Sequence, residues 1–447
     1  MAADVSTNDI PDKIVRQALG RIAKLGDLYD AVSEQFCGMS IFCQQLPPDF
    51  PAISETDNAC TSISHTTDSS LRKKFHDLNV TGELQLSVLA GMCRVDGSAK
   101  YLKHEKNSFK SVESILLYNI KTVTEHLEIF NDQVNNYISQ TATSHSTATH
   151  VVIEIEWGAI CGVTITDENR RSEDIREVEE SLSLQVERLK ELLNASGGEE
   201  VSLTEHEADD WNRFKLEIFG DVTQSLGDSD AFPQTMGGAL ALMRNVPQLI
   251  QNDNNGKGKP LTYVMLPVSY LSSQNLSRPT EPFGSVSEAY TIKVTHLFDN
   301  ITEHRQKVHD KIDELQNLSN CVTSNELEKV CRIKDDLEVH KGEAKDELKQ
   351  ILETIRSTEE DTMCLDDFCD EHLKTSKDMS QECNKIYESV QARIEFTRRC
   401  ERLGAEYLAP PVDQRIASAC DDYDNVYVLF HGDADEEIRT RNESAFI

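Results

Sequence analysis

The chain has 447 residues, and its 78 acidic side chains outnumber its 45 basic ones, giving a formal net charge of −33 at pH 7. Because so acidic a chain repels phosphate groups, we exclude nucleic acid as a partner, and simple electrostatic docking on anionic lipid is disfavoured. Hydrophobic residues make up 38% of the sequence, which allows about two to four domains with sizeable cores.

The cysteine pattern and the N-terminus predict where the protein works. The 12 cysteines form no regular framework and include no Cys-x-x-Cys pair, so reduced thiols are the default expectation. Residues 1–14 lack a cationic stretch followed by an apolar one, and no run of about 18 apolar residues occurs. These features predict a cytoplasmic protein with neither a signal peptide nor a membrane-spanning helix, and unconventional secretion stays open.

A search for catalytic motifs gives no candidate. The patterns Gly-x-Ser-x-Gly, His-Glu-x-x-His and the Walker loop are all missing. Residues 255–260 contain glycines and lysines without the phosphate-loop spacing, so they are predicted to form a turn. His150 has no suitably spaced partner, which favours a structural role. We predict a non-enzymatic protein with no cofactor and no metal site.

The first elements in chain order are predicted from residue spacing. Residues 14–28 have the spacing of a helix, with Gly20 and Gly26 as breaks. Residues 40–42 are expected to form a short strand. Residues 52–76 are rich in Ser, Thr and Asp and are expected to form a connection.

Residues 80–92 show the most regular two-residue alternation in the chain, which predicts a β-strand. The residues on its apolar side are Val80, Gly82, Leu84, Leu86, Val88, Ala90 and Met92. A strand of a transmembrane barrel needs about 9–11 residues with one apolar and one polar side, and this stretch meets that description. It is therefore a candidate for one strand of a membrane hairpin, although a strand of a covered soluble sheet would look the same.

The centre of the predicted sheet is residues 149–159, with residues 114–129 as a second strand. The alternating residues are Ile153, Ile155 and Trp157 on the expected dry side and Glu154 and Glu156 on the wet side. Gly158 would allow a bulge or a tight bend. Further along, residues 172–194 are predicted to be helical, residues 214–218 and 261–266 to be strands, and residues 240–250 a short helix or turn.

No proline occurs from residue 283 to residue 409, and this block has helical periodicity. Helices are expected over residues 327–355 and 368–403, after a first helix that includes Leu297 and Ile301. One apolar stripe on each helix, flanked by charge, predicts an antiparallel bundle. Residues 424–431 are predicted to be a short hydrophobic strand.

Five short motifs, in this order and spacing, resemble the stonustoxin/verrucotoxin family, whose N-terminal domain is a divergent member of the perforin/cholesterol-dependent-cytolysin (MACPF/CDC) superfamily. They are Ala18-Leu19-Gly20-Arg21, Leu25-Gly26-Asp27-Leu28-Tyr29-Asp30-Ala31, Asp96-Gly97-Ser98-Ala99-Lys100-Tyr101-Leu102, the strand from Thr149 and His150 to Gly158, and Val264-Met265-Leu266-Pro267-Val268. The superfamily signature places Tyr-Gly before the Thr-His pair and two glycines after it. Here Ser146-Thr147-Ala148 precede the pair, and only the single glycines Gly158 and Gly162 follow it. This departure from the signature weakens the prediction of pore activity more than the prediction of the fold.

The resemblance implies an α+β fold: a MACPF/CDC-like domain with a bent antiparallel sheet, then an antiparallel helical bundle and a short C-terminal α/β fragment. The implied divisions are residues 1–272 for the first domain, 283–406 for a bundle similar to focal-adhesion-targeting domains, and 407–447 for the start of an incomplete thioredoxin-like domain. It also implies that segments near residues 53–100 and 164–210 refold into membrane hairpins.

Two functions are therefore predicted. The resemblance implies a membrane-associated, oligomeric pore-forming or pore-precursor protein that contacts lipid, as a homo-oligomer or a hetero-oligomer with a homologous subunit. The missing signal peptide, the partial signature and the acidic residues between 177 and 200 favour the alternative. That alternative is a soluble intracellular interaction or scaffold protein that keeps the perforin-like fold without lytic activity.

Overall fold

The computed structural model describes residues 13–47, 49–143, 147–169, 173–194, 211, 214–221, 235–272, 286–317, 322–358 and 363–402. Within these ranges the strands form one antiparallel sheet of eight strands, and three long helices follow it. This is the α+β architecture with an antiparallel sheet that the sequence predicts.

The strands are β1 (Ile14–Gln17), β2 (Asp27–Asp30), β3 (Gln35–Ser40), β4 (Ile53–Thr66), β5 (Val112–Leu127), β6 (His150–Asp167), β7 (Lys215–Gly220) and β8 (Lys259–Pro267). β6 is the centre of the sheet. β5 pairs with it on one side, while β7 and β8 divide the other side between them. β2 pairs with the first residues of β6, β1 pairs with β8, and β4 pairs with β5.

The helices are α1 (Leu71–Asp77), α2 (Gly82–Leu89), α3 (Asp132–Asn135), α4 (Gln140–Thr143), α5 (Ile175–Asn194), α6 (Met236–Gln251), α7 (Glu288–Asn317), α8 (Ser324–Thr358) and α9 (Cys364–Arg402), together with a 3-10 helix over Gly97–Lys103. α7 and α9 run in the same direction, because Lys293 pairs with Asp366 and His304 with Ser376. α8 connects them and runs the opposite way. None of the helices in the described ranges is long and apolar enough to span a bilayer.

The register shifts of neighbouring strands fall on one line across the sheet. β4 shifts between Asp57 and Cys60, and β5 shifts opposite it, between Lys121 and Thr124. β6 shifts against β8 between Glu156 and Trp157. Because bulges raise the local twist and bend a strand, we refer to this line of register shifts as the bend.

Gly158 lies on this line and has no room for a side chain. A Cβ there would lie 2.0 Å from the backbone oxygen of Ile120 and 2.8 Å from Leu261 Cδ1. A Cβ on Gly258, which has a φ of +81°, would in turn lie 2.4 Å from the Gly158 oxygen. At the bend that Gly158 was predicted to allow, the backbones at Ile120, Gly158 and Gly258 therefore come close together.

Above the bend, the two faces of the sheet belong to different cores. Ile115 and Leu117 face a core that includes α2, the 3-10 helix and the bundle helices. Leu116 and Val163 face the opposite core, which includes α5 and α6. This alternation along β5 is the two-residue period of a strand buried on both faces.

The strand predicted over residues 80–92 is wrong: this stretch contains helix α2. The residues named for that strand are Val80, Gly82, Leu84, Leu86, Val88, Ala90 and Met92. Within α2, Leu84 and Leu86 are buried, Val88 is half-buried and Gly82 is exposed, and the other three residues flank the helix. Leu84, Leu86, Ser87 and Leu89 are all buried, so α2 is covered on more than one side. A helix that is covered on several sides has apolar residues all round instead of one apolar stripe. The spacing of apolar residues alone does not then distinguish a short helix from a strand.

Three other expectations need correction. Residues 14–28 form β1, a turn and β2 instead of a helix, because their backbones pair with β8 and β6. Residues 52–76 are not a mere connection, since they contain the long strand β4 and helix α1. Ile153 and Ile155 lie in different cores, because the register shift between Val152 and Glu154 changes which face each side chain meets.

The helices predicted after residue 283 are present. Of the apolar residues on their predicted stripes, Leu297, Ile301, Ile333 and Val390 are buried, and Ile351 and Ile386 are half-buried. The division into residues 1–272, 283–406 and 407–447 stays a prediction. Residues 407–447, with the strand predicted at 424–431, lie outside the described residues.

Replacing Leu297 by alanine should lower the free energy of unfolding by about 2–5 kcal/mol, because the side chain is buried in the core shared by α7 and α2. The matched control is Val339→Ala on α8, where the side chain is 60% exposed and the change should stay within about 0.5 kcal/mol. Urea denaturation followed by circular dichroism measures both. Equal midpoints for the two variants would contradict this core assignment.

Replacing Gly158 by alanine should cost about 1–3 kcal/mol, because the new Cβ must push β5 away at Ile120. Gly342→Ala is the matched control: nothing lies within 4 Å of a Cβ there, and it sits inside α8. The control should gain about 0.5–1 kcal/mol, since alanine restricts the unfolded chain and favours helix. Thermal unfolding in which both variants shift the same way would show that the close approach at Gly158 is not a constraint.

Candidate functional site

The sequence motifs that carry the family resemblance meet in space around β6. Thr149 joins the start of β6 to two neighbours: its backbone N–H donates to Tyr29 O at 2.9 Å, and its Oγ1 accepts from Ala31 N at 2.9 Å. His150 is buried, and its Nδ1 lies 2.8 Å from Thr149 Oγ1. These contacts give His150 the structural surroundings that the sequence favours for it.

A second meeting point connects the Gly20 motif with the Asp96 motif. A Cβ on Gly20, which has a φ of +79°, would lie 2.6 Å from Asp96 O, so the two turns are in backbone contact. Asp96 N donates to Leu19 O at 3.0 Å, and the Asp96 side chain accepts from Gly97 N to begin the 3-10 helix. Glycine is required at residue 20 for both its φ and its close contact.

Asp221, directly after β7, holds the 3-10 helix against the bend of the sheet. One carboxylate oxygen accepts from Ser98 N at 2.9 Å and the other from Ile160 N at 2.8 Å. Burial raises the pKa of this carboxyl, although the two backbone donors oppose that shift. The side chain thereby satisfies Ile160 N where the pairing of β6 with β7 ends.

Lys257, in the turn before β8, clamps the other side of the bend. Its ammonium binds Glu125 of β5 at 2.6 Å and also Glu55 of β4. Glu55 and Glu125 are direct cross-strand partners, an arrangement in which like charges repel. Burial alone would lower the pKa of Lys257, but the hydrogen bonds to Glu125 and Glu55 outweigh it and raise that pKa. Lys257 thus neutralises a repulsive pair at the bend.

Two connecting segments flank the sheet above the bend. The first connecting segment, residues 67–111, joins β4 to β5 and contains α1, α2 and the 3-10 helix. The second connecting segment, residues 168–214, joins β6 to β7 and contains α5. Each segment therefore joins two strands of an antiparallel sheet. The 3-10 helix of the first segment packs on β6 and β7, and α5 of the second packs on β4 and β5. Were either segment to become extended, it would lengthen those two strands without breaking the existing ladder.

The structure places the predicted site residues in two different surroundings. The residues of the sheet motif, Thr149, His150, Ile153, Ile155, Trp157 and Gly158, lie along β6 from its start to the bend. The residues of the candidate hairpin strand, Val80 to Met92, lie in and around α2. Within the parts of the chain that the structure describes, no group of three or more His, Cys, Asp or Glu side chains is arranged to hold a metal ion.

Sequence reasoning missed Asp221 and Lys257 as site residues. The available signals were an acidic residue directly after a strand pattern and a lysine between two glycines in a predicted turn. Neither pattern is specific, because the partners of Asp221 and Lys257 are up to 202 residues away in the chain.

Residues 13–284 match the family described as "SNTX, MACPF/CDC-like domain". Stonustoxin subunit beta from Synanceia horrida is 25% identical over 396 residues, which cover 87% of this chain and 53% of that protein. Cytolytic toxin-beta from Scorpaena plumieri is 25% identical over 269 residues, covering 59% and 36%. The chain thus spans about half the length of the first of these relatives.

The solved stonustoxin structure has the same fold. It superposes with a TM-score of 0.60 at 18% sequence identity and covers 87% of this chain and 50% of that chain. At this identity, the likeness concerns the fold of the two proteins.

The predicted cytoplasmic localisation is wrong. The relatives are named as toxins, and such venom toxins are secreted proteins, which conflicts with a cytoplasmic assignment. That prediction depended on the absence of one pattern in residues 1–14, and it does not outweigh the relatives.

The family match extends over more than half of the sequence and includes β1 to β8, both connecting segments and the bend, so this protein belongs to the SNTX, MACPF/CDC-like domain family.

Proposed function

We propose that this chain is a non-enzymatic, stonustoxin-like subunit of a membrane-associated oligomer that forms a pore or its precursor. The observation that carries the proposal is a two-residue alternation in both connecting segments, which their present helices do not require. The proposal needs no cofactor, no metal and no catalytic step.

The second connecting segment gives the clearest case of this alternation. In α5, Val178, Leu182 and Val186 form a buried stripe, whereas Leu184 is 75% exposed. Helical geometry explains that exposure, because a residue two positions from the stripe points to the opposite face. If the same residues were extended, Leu184 would lie on one side with the three buried residues, and Ser181, Ser183, Gln185, Glu179 and Glu187 would lie on the other.

The first connecting segment has the same property. Residues 80–92 alternate more regularly than any other part of the chain, yet they fold into α2. An extended form would carry Leu84, Leu86 and Val88 on its apolar side. Each segment is also longer than the roughly 18–22 residues that two transmembrane strands need.

Acidic residues set a limit on this proposal. Glu180 would fall on the apolar side of an extended α5, where a charge at the bilayer midplane is unfavourable. The acidic face of α5 therefore supports a second candidate function, an interaction protein that keeps this fold without lytic activity.

Assembly is the second part of the proposal. Two of the relatives are named as alpha and beta subunits of stonustoxin, which supports an oligomer with a homologous subunit. Strand β4 supports it as well: among the described strands it pairs with β5 alone, and most of its residues are exposed. A long strand edge with free N–H and C=O groups can pair with another chain.

Replacing Leu184 by arginine should abolish dye release from vesicles while leaving the soluble protein intact. The exposed side chain costs little to replace, so the free energy of unfolding should change by no more than about 0.5 kcal/mol. An arginine on the lipid side of an inserted strand should cost about 2–4 kcal/mol at the midplane. The assay uses carboxyfluorescein-loaded phosphatidylcholine vesicles, with and without cholesterol, and the 447-residue chain alone or with a homologous subunit.

Val339→Arg is the matched control, because Val339 is also mostly exposed, at 60%, on helix α8 of the bundle, and the change there should not affect release. Unchanged release by Leu184→Arg would mean that this side of α5 does not meet lipid. No release by the unmodified chain in any of these vesicles, alone or with the subunit, would leave the non-lytic interaction protein as the function.

Cysteines at residues 85 and 88 should report different surroundings after insertion. Gln85 and Val88 are both half-buried in the soluble protein, but they would lie on opposite sides of an extended strand. With an environment-sensitive dye, Val88→Cys should shift to a lipid-like emission on vesicles, and Gln85→Cys should stay water-like. Unmodified protein treated with the dye gives the background, since Cys43, Cys60 and Cys364 are exposed. Identical responses at both positions would contradict an inserted strand.

A further inference from the structure

The helical bundle covers only one of the two connecting segments in the described residues. Leu86 of α2 lies in one core with Leu297 of α7 and Leu352 of α8, and α2 packs on these two helices. α5 packs instead on β4, β5 and α6. The bundle therefore supplies apolar cover to α2 of the first connecting segment, whereas α5 of the second is covered by the sheet and α6.

Arg356, near the end of α8, reaches from the bundle into the first connecting segment. Its side chain has no solvent exposure. Its Nη2 donates to Ser87 Oγ at 2.7 Å and to Glu83 O at 3.2 Å, both on α2. Its Nη1 donates to Val32 O at 3.1 Å, in the turn between β2 and β3. One buried guanidinium thus joins α8, α2 and the sheet.

The charge of Arg356 is balanced by a buried cluster. Glu34, whose side chain is fully buried, lies 3.8 Å from Arg356 and binds Arg16 of β1 at 3.0 Å. Arg16 also binds Glu83 of α2 at 3.3 Å. Two guanidinium groups and two carboxylates therefore neutralise one another where α2 meets the sheet and the bundle. Removing Arg356 would leave an unbalanced negative charge beside α2, and breaking a buried cluster in this way is strongly unfavourable.

The backbone of Glu34 adds an independent sign of constraint. Its φ is +55°, a left-handed conformation that non-glycine residues adopt at a cost. Such a conformation persists where the surrounding contacts determine it, here the bonds from Arg16 and Tyr29 to the Glu34 carboxylate.

Further polar contacts tie both ends of the first connecting segment to the bundle. At its start, Leu71 N donates to Asp299 of α7 at 3.0 Å. Near its end, Glu105 binds Arg305 of α7 at 3.1 Å and Lys341 of α8. Arg356 lies between these contacts and reaches α2 itself, where Val286 N, just before α7, also donates to Glu83 at 3.2 Å.

We propose that Arg356 is a positioning residue by which the bundle holds α2 in its helical, docked form, so that the first connecting segment can extend only after the bundle releases it. In the mechanism of the proposed function, on which this inference rests, the second connecting segment needs no such release. The two segments are thus held by different parts of the same chain.

Hydrogen exchange measured by mass spectrometry on the soluble, full-length protein tests this without any membrane. In Arg356→Met, amide exchange over residues 82–90 should accelerate roughly tenfold or more, since three buried hydrogen bonds and a charge balance are lost. Exchange over residues 175–194 of α5 and over β5 should not change. Arg356→Lys keeps the charge but cannot make all three hydrogen bonds at once. Its exchange rate over residues 82–90 should therefore lie between those of the unmodified protein and Arg356→Met.

Lys349→Met is the matched control, because Lys349 also lies on α8 but is half-exposed, and it should leave exchange unchanged. Ser87→Ala removes one acceptor of Arg356 without removing a charge, and it should accelerate residues 82–90 by about threefold.

Acceleration confined to the first connecting segment in Arg356→Met supports the proposal. If Arg356→Met instead accelerates the whole chain, Ser87→Ala decides: acceleration limited to residues 82–90 supports the proposal, and either no change or a general acceleration overturns it. These outcomes do not depend on vesicle leakage, so a chain that fails to form pores can still have this restraint, and a lytic chain can lack it.

Discussion

Among the glycines that the structure describes, Gly158 has the least room for a side chain, and the architecture around it depends on this close approach. Because a Cβ there would lie 2.0 Å from Ile120 O, only glycine lets β5 and β6 stay paired at the level where both change register. The change of register separates the sheet into two parts. Above it, β6 pairs with β5 and β7, and the two connecting segments join β4 to β5 and β6 to β7. Below it, β6 pairs with β8 and β2 and with the last residues of β5. Near this level Asp221 accepts from Ile160 N, where the pairing of β6 with β7 ends, and Lys257 neutralises Glu55 and Glu125.

The parts of the fold that could be predicted from sequence are those in which side-chain burial decides the structure. β6 alternates where half-buried Glu154 and Glu156 lie next to buried apolar residues, and α5 keeps a regular stripe because one face is covered. β1 and β4 could not be predicted in this way. Their strand conformation comes from backbone pairing, with β8 and β5 respectively, and β4 is a mostly exposed edge strand of Ser, Thr and Asp that needs no apolar side. Among the site residues, Gly158 was predicted to mark the bend, whereas Arg356 and Glu34 belong to a cluster formed between residues 16 and 356 that no local pattern reveals.

The error at α2 has a physical meaning of its own. Residues 80–92 satisfy a two-residue period in sequence and a helix in the folded protein, and the difference is made by their surroundings. α7 and α8 cover α2 from outside the segment, so the helix needs no regular stripe of its own. In α5 the opposite holds. This helix has a buried apolar stripe, and Leu184 lies exposed on the other face, where the helix does not require an apolar residue. Both segments therefore contain a two-residue alternation of apolar side chains that their helices in this fold do not require.

The unequal cover of the two segments determines what each would expose on leaving the sheet. α5 would uncover the apolar face of β4 and β5 above the bend, which only a partner or a membrane could cover again. α2 would uncover a mixed surface, with apolar residues of α7 and α8 beside the charges of Arg356, Glu34 and Arg16. Water solvates released charges well, so the ionic part of this junction can separate at a lower cost than an apolar contact of the same size. Separating a buried ion cluster costs little free energy once the charges on both sides are hydrated. The junction between the bundle and the first connecting segment can consequently hold α2 in place and still open.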